Sequence, residues 1–310
     1  MKTAAVWGAT GFVGRHLVAA LQQAGWRVRA LVRETGPASA GVEVRMLPFS
    51  ATSGEMRAVL GNVDVAFHCA GNRAEDATGL AEFARASAQF SQAAAAGGVP
   101  TLIQLSTVAV YGAKAGAIVT AATPPAASTP YARSRIAAEA AAKTGTTGSG
   151  MRCNLVRIPM VVGPGMTADA LRLFFATLRH GIFFHPGPRR ATLSCIGISR
   201  LSRLLTALAN HPPPDAAAVL QFADNVRWLD IARIYGEQAG QPVSRIRIPR
   251  ALARLGARVL LGRDAGEGLS ALANTVTYVD DASALGFDLQ DTPTTAGDIA
   301  EVARQVASRG

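Results

Sequence analysis

Cysteine is scarce in this chain: Cys69, Cys153 and Cys195 are the three in 310 residues. An odd number, widely spaced and without close pairs, argues against a disulfide framework or a zinc site and points to a reducing, cytoplasmic setting. No apolar run reaches the roughly eighteen residues needed to span a bilayer, so no membrane partner is expected. Tandem repeats and long low-complexity tracts are absent too. Acidic residues are outnumbered, 21 against 31 basic, and the net charge of +10 raises the question of a polyanionic partner. The basic residues never condense into a block, however. Arg27, Arg29, Arg33, Arg133, Arg135, Arg189, Arg190, Arg245 and Arg247 are scattered without interleaved aromatics. That distribution argues against nucleic acid and for arginines serving small anionic ligands on a solvated surface.

What the chain has is apolar content (49%) and glycine (31 residues), enough to bury the core of one large or two modest domains. Its organising stretch is Met1 to Ala20, MKTAAVWGATGFVGRHLVAA. An apolar run from Ala4 to Trp7 leads into Gly8, Gly11 and Gly14, and helical spacing begins beyond them. Strand, tight turn and helix follow. Glycines at that turn let backbone N–H groups and a helix N-terminus approach a pyrophosphate, which a Cβ would obstruct. A bare strand-to-helix turn without a ligand is the plain alternative.

Further along, Trp26 to Val32 alternates as a strand, with Arg33 and Glu34 just beyond its end. In a dinucleotide fold an acid there receives the adenosine ribose hydroxyls, whereas an arginine matches a 2′-phosphate; Arg33 therefore favours NADP(H) over NAD(H). A third strand is expected over Val42 to Leu47, a helix over Gly54 to Leu60, and a buried strand from Val63 to Gly71. His68, inside that apolar strand, reads as a core histidine. Leu80 to Ala96 reads as a helix, and strand Thr101 to Leu105 delivers Ser106 and Thr107. Thr129 and Pro130 have the pattern of N-cap and first position of a helix through Lys143, which puts Tyr131 and Arg135 on one face. Beyond strand Asn154 to Ile158 the composition shifts. Helical spacing marks Leu171 to Leu178, Leu201 to Leu208 (with Ser199 as its cap), Leu229 to Gln238 and Ile248 to Leu261, and a strand covers Val219 to Ala223. Strands alternating with helices through about residue 160 imply an α/β, Rossmann-like, doubly wound parallel sheet, followed by a smaller, mostly helical lobe. The division is set at residues 1–163 for the dinucleotide-binding domain and 164–310 for the substrate lobe. Part of that lobe, around 193–225, is expected to return to the first domain.

The glycine turn, Thr107 and the Tyr131/Arg135 pair all fall at carboxyl ends of strands. A phenol, ordinarily of pKa about 10, serves as acid or base when a neighbouring cation stabilises its phenolate. A hydroxyl such as Thr107 can hold the same substrate oxygen. Together these groups could handle the proton while a nicotinamide takes or gives hydride at a carbinol carbon. Singly, each has a plainer reading: Tyr131 as packing, Arg135 as an exposed partner of Glu139, and Thr107 as a strand-end hydroxyl.

In these segments the chain resembles the extended short-chain dehydrogenase/reductases, also called the NAD-dependent epimerase/dehydratase family. The segments are Gly8 to Gly14 (GATGFVG), Asp64 to Ala70 (DVAFHCA), Leu105 to Gly112 (LSTVAVYG) and Tyr131 to Arg135 (YARSR). Arg157 to Gly165 (RIPMVVGPG), Trp228 to Ala232 (WLDIA) and Ala284 to Phe287 (ALGF) extend the resemblance over nearly the whole chain. It implies catalytic places for Thr107, Tyr131 and Arg135. It implies a cofactor on Gly8, Thr10, Gly11, Phe12, Val13, Gly14, Arg33, Cys69, Ala70, Gly71, Tyr131, Arg135 and Pro159. The implied substrate is a nucleotide-linked sugar, met by Tyr111, Arg189 and Arg190, as in sugar 4-epimerases and 4-ketoreductases. It also implies a homodimer formed through the helices Leu80 to Ala96 and Tyr131 to Lys143. Three departures stand out. Arg135 takes the place of the motif lysine, Phe49-Ser50 the place of an acidic adenine contact, and Gly197 or Ile198 that of an acid near Ile196. The first leaves open a dinucleotide-binding protein without catalysis; a reductase of a non-sugar carbonyl compound is a further alternative.

Overall fold

The computed structural model describes residues 1–34, 40–71, 76–113, 116–166, 174–175, 178–179, 181–185, 190–247, 276–287 and 294–308. Strands β1 (Thr3–Trp7), β2 (Arg27–Val32), β3 (Val42–Met46) and β4 (Val65–His68) are interleaved with helices α1 (Phe12–Gln23) and α2 (Ser53–Leu60). After α3 (Ala77–Ala96) come β5 (Thr101–Thr107), a 3-10 turn (Val108–Tyr111) and β6 (Ile118–Val119). Helix α4 (Pro130–Thr146) leads to β7 (Arg152–Ile158), β8 (Met160–Val162), β9 (Ile182–His185) and β10 (Thr192–Gly197). The chain ends through α5 (Ile198–Asn210), β11 (Ala217–Gln221), β12 (Asp224–Arg227), α6 (Trp228–Ala239), β13 (Ser244–Arg247), β14 (Thr277–Tyr278) and α7 (Thr295–Ala307).

Seven strands make one parallel sheet in the order β11-β7-β5-β4-β1-β2-β3. The all-buried, non-alternating sequences of β1 and β4 suit strands covered on both faces. Leucines of α1 and α5 cover one face, over Val6, Val28 and Phe67. Residues of α2, α3 and α4 cover the other, over Ala5, Trp7 and Leu102. From β1 the sheet grows one way through β2 and β3 and the other way through β4, so the crevice for a ligand opens between the carboxyl ends of β1 and β4. Among the described residues, short strands build three smaller sheets: β14-β6, in which Thr277 and Tyr278 pair with Ile118 and Val119, and β12-β10-β8 and β13-β9 from strands beyond residue 159. A further core of Phe174, Phe175, Leu178, Trp228, Tyr235 and Ile299 lies there. The helix expected around Leu171 and the one from Ile248 to Leu261 fall partly and wholly outside the described residues.

Helix starts follow local chemistry. Thr52 and Glu55 form a reciprocal capping box on α2, and Thr129 Oγ1 accepts the Ala132 amide (3.1 Å) with Pro130 at the first position of α4. Ser199 is not the cap of α5. It lies inside the first turn, and its amide and hydroxyl donate to Asp298 of α7 at 3.0 and 2.8 Å. The carboxylate that the sequence lacks near Ile196 thus arrives from α7, and Gly197 makes room: a Cβ there would fall 2.3 Å from Asp298 Oδ2.

His68 closes β4 in the core, against Trp7, Phe83 and Phe90. Ser87 Oγ donates to Phe83 O (2.7 Å), so it accepts from His68 Nε2–H at 2.8 Å, and the buried Nδ1 has no partner among the described residues. Burial, reinforced by the charge of Arg135, pushes its pKa down to about 3 from 6.5. A depressed folded-state pKa contributes stability above the unfolded value that is lost as pH falls through the folded one. Below pH 6.5 the wild type is therefore expected to lose up to about 1.4 kcal/mol per pH unit through His68. Urea unfolding across that range should show the extra slope, and His68→Gln should remove it. Equal slopes would contradict the assignment.

Candidate active site

The glycine turn divides its labour. Gly8 has φ +84° and carries β1 past β4; a Cβ there would lie 2.6 Å from the Ala70 amide nitrogen. At Gly14 a Cβ would fall 2.0 Å from Gly8 O, so this glycine seats α1 on the turn. Gly11 differs. It is exposed, and among the described residues the Gly8 carbonyl at 3.1 Å is all that a Cβ would meet within 4 Å. The space beyond is open. Gly11 also begins α1 without a side-chain cap and with no acid in the first turn, so the free N–H groups of that turn face the crevice. Thr10 is exposed beside it, Val13 packs on the sheet core, and Phe12 packs toward the C-terminal core.

Across the crevice, Cys69 and Ala70 are half-buried and Gly71 is exposed. Desolvation pushes the Cys69 thiol up to about 12, so it is no nucleophile at neutral pH. Arg135 is not an exposed partner of Glu139. Only 8% of it is exposed, and its guanidinium stacks on Phe83 (3.7 Å to the ring centroid) and beside Tyr131 (4.9 Å). Its Nη2 lies 3.8 Å from where a Gly71 Cβ would be. No carboxylate among the described residues pairs with it, and its Nε has no hydrogen-bond partner. Burial lowers its pKa, opposed by the Tyr131 hydroxyl, yet a guanidinium stays charged. A buried cation without a protein counter-ion is costly, and an anionic ligand in the crevice would offset that cost.

Tyr131 stands 39% exposed at the first turn of α4. Thr107 ends β5, and its Oγ1 accepts the Ala109 amide at 3.2 Å, which leaves its hydroxyl proton free for a ligand oxygen. Pro159 follows β7, whose Ile158 pairs with Thr107. Arg33 and Glu34 are exposed at the end of β2, without ion pairs among the described residues. Tyr111 is in the supporting layer: 3% exposed, it packs with Val110 and Val119 and lies under the Arg157 guanidinium, 4.8 Å away. Phe49 is likewise core, edge-on to Trp7 and Phe83. Arg190 is exposed before β10, and Arg189 lies outside the described residues.

The residues that sequence reasoning missed as a group are Ser106, Glu139 and Arg157, all buried. Arg157 donates twice to Glu139 (3.0 and 2.6 Å), and Ser106 donates to the same carboxylate at 2.5 Å. The available signal was two charged residues in apolar company, Glu139 among alanines and Arg157 at the end of an apolar strand.

The family model of the NAD dependent epimerase/dehydratase family matches residues 4–181, more than half the chain and all of the crevice just described. The chain belongs to that family. This chain is an enzyme of that family. Solved structures agree in fold. The UDP-N-acetylglucosamine 4-epimerase of Bacillus cereus is 16% identical with a TM-score of 0.74, covering 100% of both chains. UDP-glucuronic acid 4-epimerase of Bacillus cereus, in complex with NAD, is 18% identical with a TM-score of 0.74 over 99% of both. MoeE5 in complex with UDP-glucuronic acid and NAD is 22% identical with a TM-score of 0.70, also over 99% of both. A shorter likeness is local: 29 residues are 72% identical to the ceramide reductase of Caulobacter vibrioides, 9% of this chain and 9% of that one. Among the described residues no helix is long and apolar enough to cross a membrane.

Proposed function

We propose that this family member binds a nicotinamide dinucleotide on the Gly8–Gly14 turn and transfers hydride at a carbinol or keto carbon of a nucleotide-linked sugar. The observation that carries the reading is Arg135, a buried cation that pairs with no carboxylate among the described residues, set between Tyr131 and Gly71. The open space at Gly11 and the uncapped first turn of α1 fit a pyrophosphate. When bound, the nicotinamide supplies hydride acceptance and donation. The Tyr131 hydroxyl passes the proton to or from the substrate oxygen, and Thr107 donates a hydrogen bond to that oxygen. Arg135 supplies the electrostatic half of the motif lysine's role by setting a fixed positive charge beside the Tyr131 ring. UDP sugars named with the structural neighbours support the substrate class, and Arg189 and Arg190 are the residues assigned to its diphosphate.

The reading takes NADP(H) as the preferred cofactor from Arg33, although MoeE5 and the UDP-glucuronic acid 4-epimerase were solved with NAD. An arginine paired with a 2′-phosphate contributes about 1.5–3 kcal/mol, so Arg33→Ala is expected to weaken NADPH binding roughly tenfold to hundredfold while leaving NADH unchanged. Fluorescence titration of the cofactor-stripped protein measures this; tighter NADH binding by the wild type would instead put Glu34 on the ribose. A homodimer through the outer faces of α3 and α4 belongs to the same reading, and a monomeric mass in solution would contradict it.

The second reading is reduction of a lipid ketone of the ceramide class, favoured by the 29-residue identity to a ceramide reductase. One experiment separates the readings: the protein, loaded with each nicotinamide form, is offered UDP-glucose, UDP-N-acetylglucosamine, UDP-glucuronic acid and a 3-ketoceramide, and products are followed by NMR and mass spectrometry. A C4-epimerised or oxidised sugar supports the first reading. Turnover of the ketoceramide alone supports the second. Cofactor binding without turnover of any of them would favour a non-catalytic dinucleotide-binding protein.

A further inference from the structure

The Glu139 carboxylate stands eight residues after Tyr131 and four after Arg135 on α4, so the three share one face of the helix. Glu139 is held from two strands at once. Arg157 of β7 grips both of its oxygens (3.0 and 2.6 Å), and Ser106 of β5 donates to one of them at 2.5 Å. Ser106 and Arg157 are register partners across β5 and β7, and the next pair in register is Thr107 and Ile158. Tyr111, on the turn that follows Thr107, stacks on the Arg157 guanidinium at 4.8 Å. A single buried charge pair therefore ties the helix carrying Tyr131 and Arg135 to the strand end carrying Thr107.

A buried ion pair is a poor device for stability alone, because desolving both charges offsets their attraction and apolar residues of similar volume often do as well. Its bidentate geometry is suited to fixing distance and rotation. Glu139 also neutralises Arg157, so among the described buried charged residues near the crevice Arg135 is left as the cation without an acid. We infer that Glu139 and Arg157, with Ser106, are positioning residues that set the rotation and axial placement of α4, so that the Tyr131 hydroxyl meets the same substrate oxygen as Thr107. This inference rests on the hydride-transfer reading above.

The test replaces the network by apolar side chains, Ser106→Ala/Glu139→Met/Arg157→Met, with Glu139→Gln as a milder companion that keeps the shape and removes the charge. Thermal unfolding and NADPH fluorescence titration establish folding and cofactor binding. Turnover of UDP-glucose, followed by NMR of the epimerised or oxidised product, reads kcat and KM separately. The expected result is a folded triple variant that binds NADPH as the wild type does and retains KM, with kcat lower by about tenfold to hundredfold, the range an ångström-scale misplacement costs. Glu139→Gln should show a smaller loss in the same direction. Amide hydrogen exchange over residues 130–136 gives a readout independent of turnover: it should quicken in both variants relative to α3. Wild-type kcat with unchanged exchange in a folded triple variant would overturn the inference, and if that variant does not fold, wild-type behaviour of Glu139→Gln on both readouts would do so. A wild type inactive on UDP-glucose would count against the sugar reading, and hydrogen exchange alone would then decide the positioning role.

Discussion

Tyr131→Phe is expected to fold, to bind the dinucleotide as tightly as the wild type, and to lose about two to four orders of magnitude in turnover, the usual contribution of a positioned general acid–base. The geometry isolates the hydroxyl. Tyr131 is 39% exposed at the start of α4, so removing one oxygen leaves no core cavity. The ring still borders the Arg135 guanidinium at 4.9 Å, and the stack of Arg135 on Phe83 at 3.7 Å does not involve the hydroxyl. The loss should therefore sit in kcat, with circular dichroism and NADPH titration unchanged. A phenylalanine variant with wild-type kcat would remove Tyr131 from the chemistry and leave it the packing role.

The second large effect is a contrast between two glycines three residues apart. Gly14→Ala puts a methyl 2.0 Å from the Gly8 carbonyl oxygen, in backbone that cannot move without displacing α1 from the sheet. Destabilisation of about 1–3 kcal/mol or more is expected from such overpacking, and with it a fall in the midpoint of urea unfolding. Gly11→Ala meets only the Gly8 oxygen at 3.1 Å and otherwise points into the open crevice. That variant should unfold close to the wild-type midpoint and lose dinucleotide binding, because its methyl occupies the approach of the pyrophosphate. Equal loss of stability in both variants, or retained binding in Gly11→Ala, would show that the whole turn serves packing.

The fold was legible because its signals are local and repeated. Non-alternating apolar runs such as Thr3–Trp7, a glycine turn, and caps such as Thr129 with Pro130 each specify an element without reference to the rest of the chain. The site was legible as far as its residues stand at strand ends and helix starts. What stayed hidden depends on partners distant in sequence. Asp298 reaches the start of α5 from α7, and the spacing around Ser199 holds no trace of it. Glu139 sits four residues from Arg135, a separation that suits an ion pair on a helix face, but it turns to Arg157 and Ser106 because those groups lie buried beneath it. Arg135 is left to Phe83 and Tyr131, which makes it a buried cation instead of an exposed charge. Tyr111 shows the converse: the turn that follows Thr107 drives its ring inward, beyond anything that strand periodicity encodes.

The most direct test of the central claim is the turnover of Arg135→Met and Arg135→Lys on whichever substrate the wild type accepts. Both variants keep an aliphatic stem against Phe83, and only lysine keeps the charge. Loss of a preorganised electrostatic group costs about a hundredfold to a thousandfold in kcat. The expectation is a loss of that size in Arg135→Met and turnover within about tenfold of the wild type in Arg135→Lys, where the charge survives. An Arg135→Met variant as active as the wild type would contradict the account.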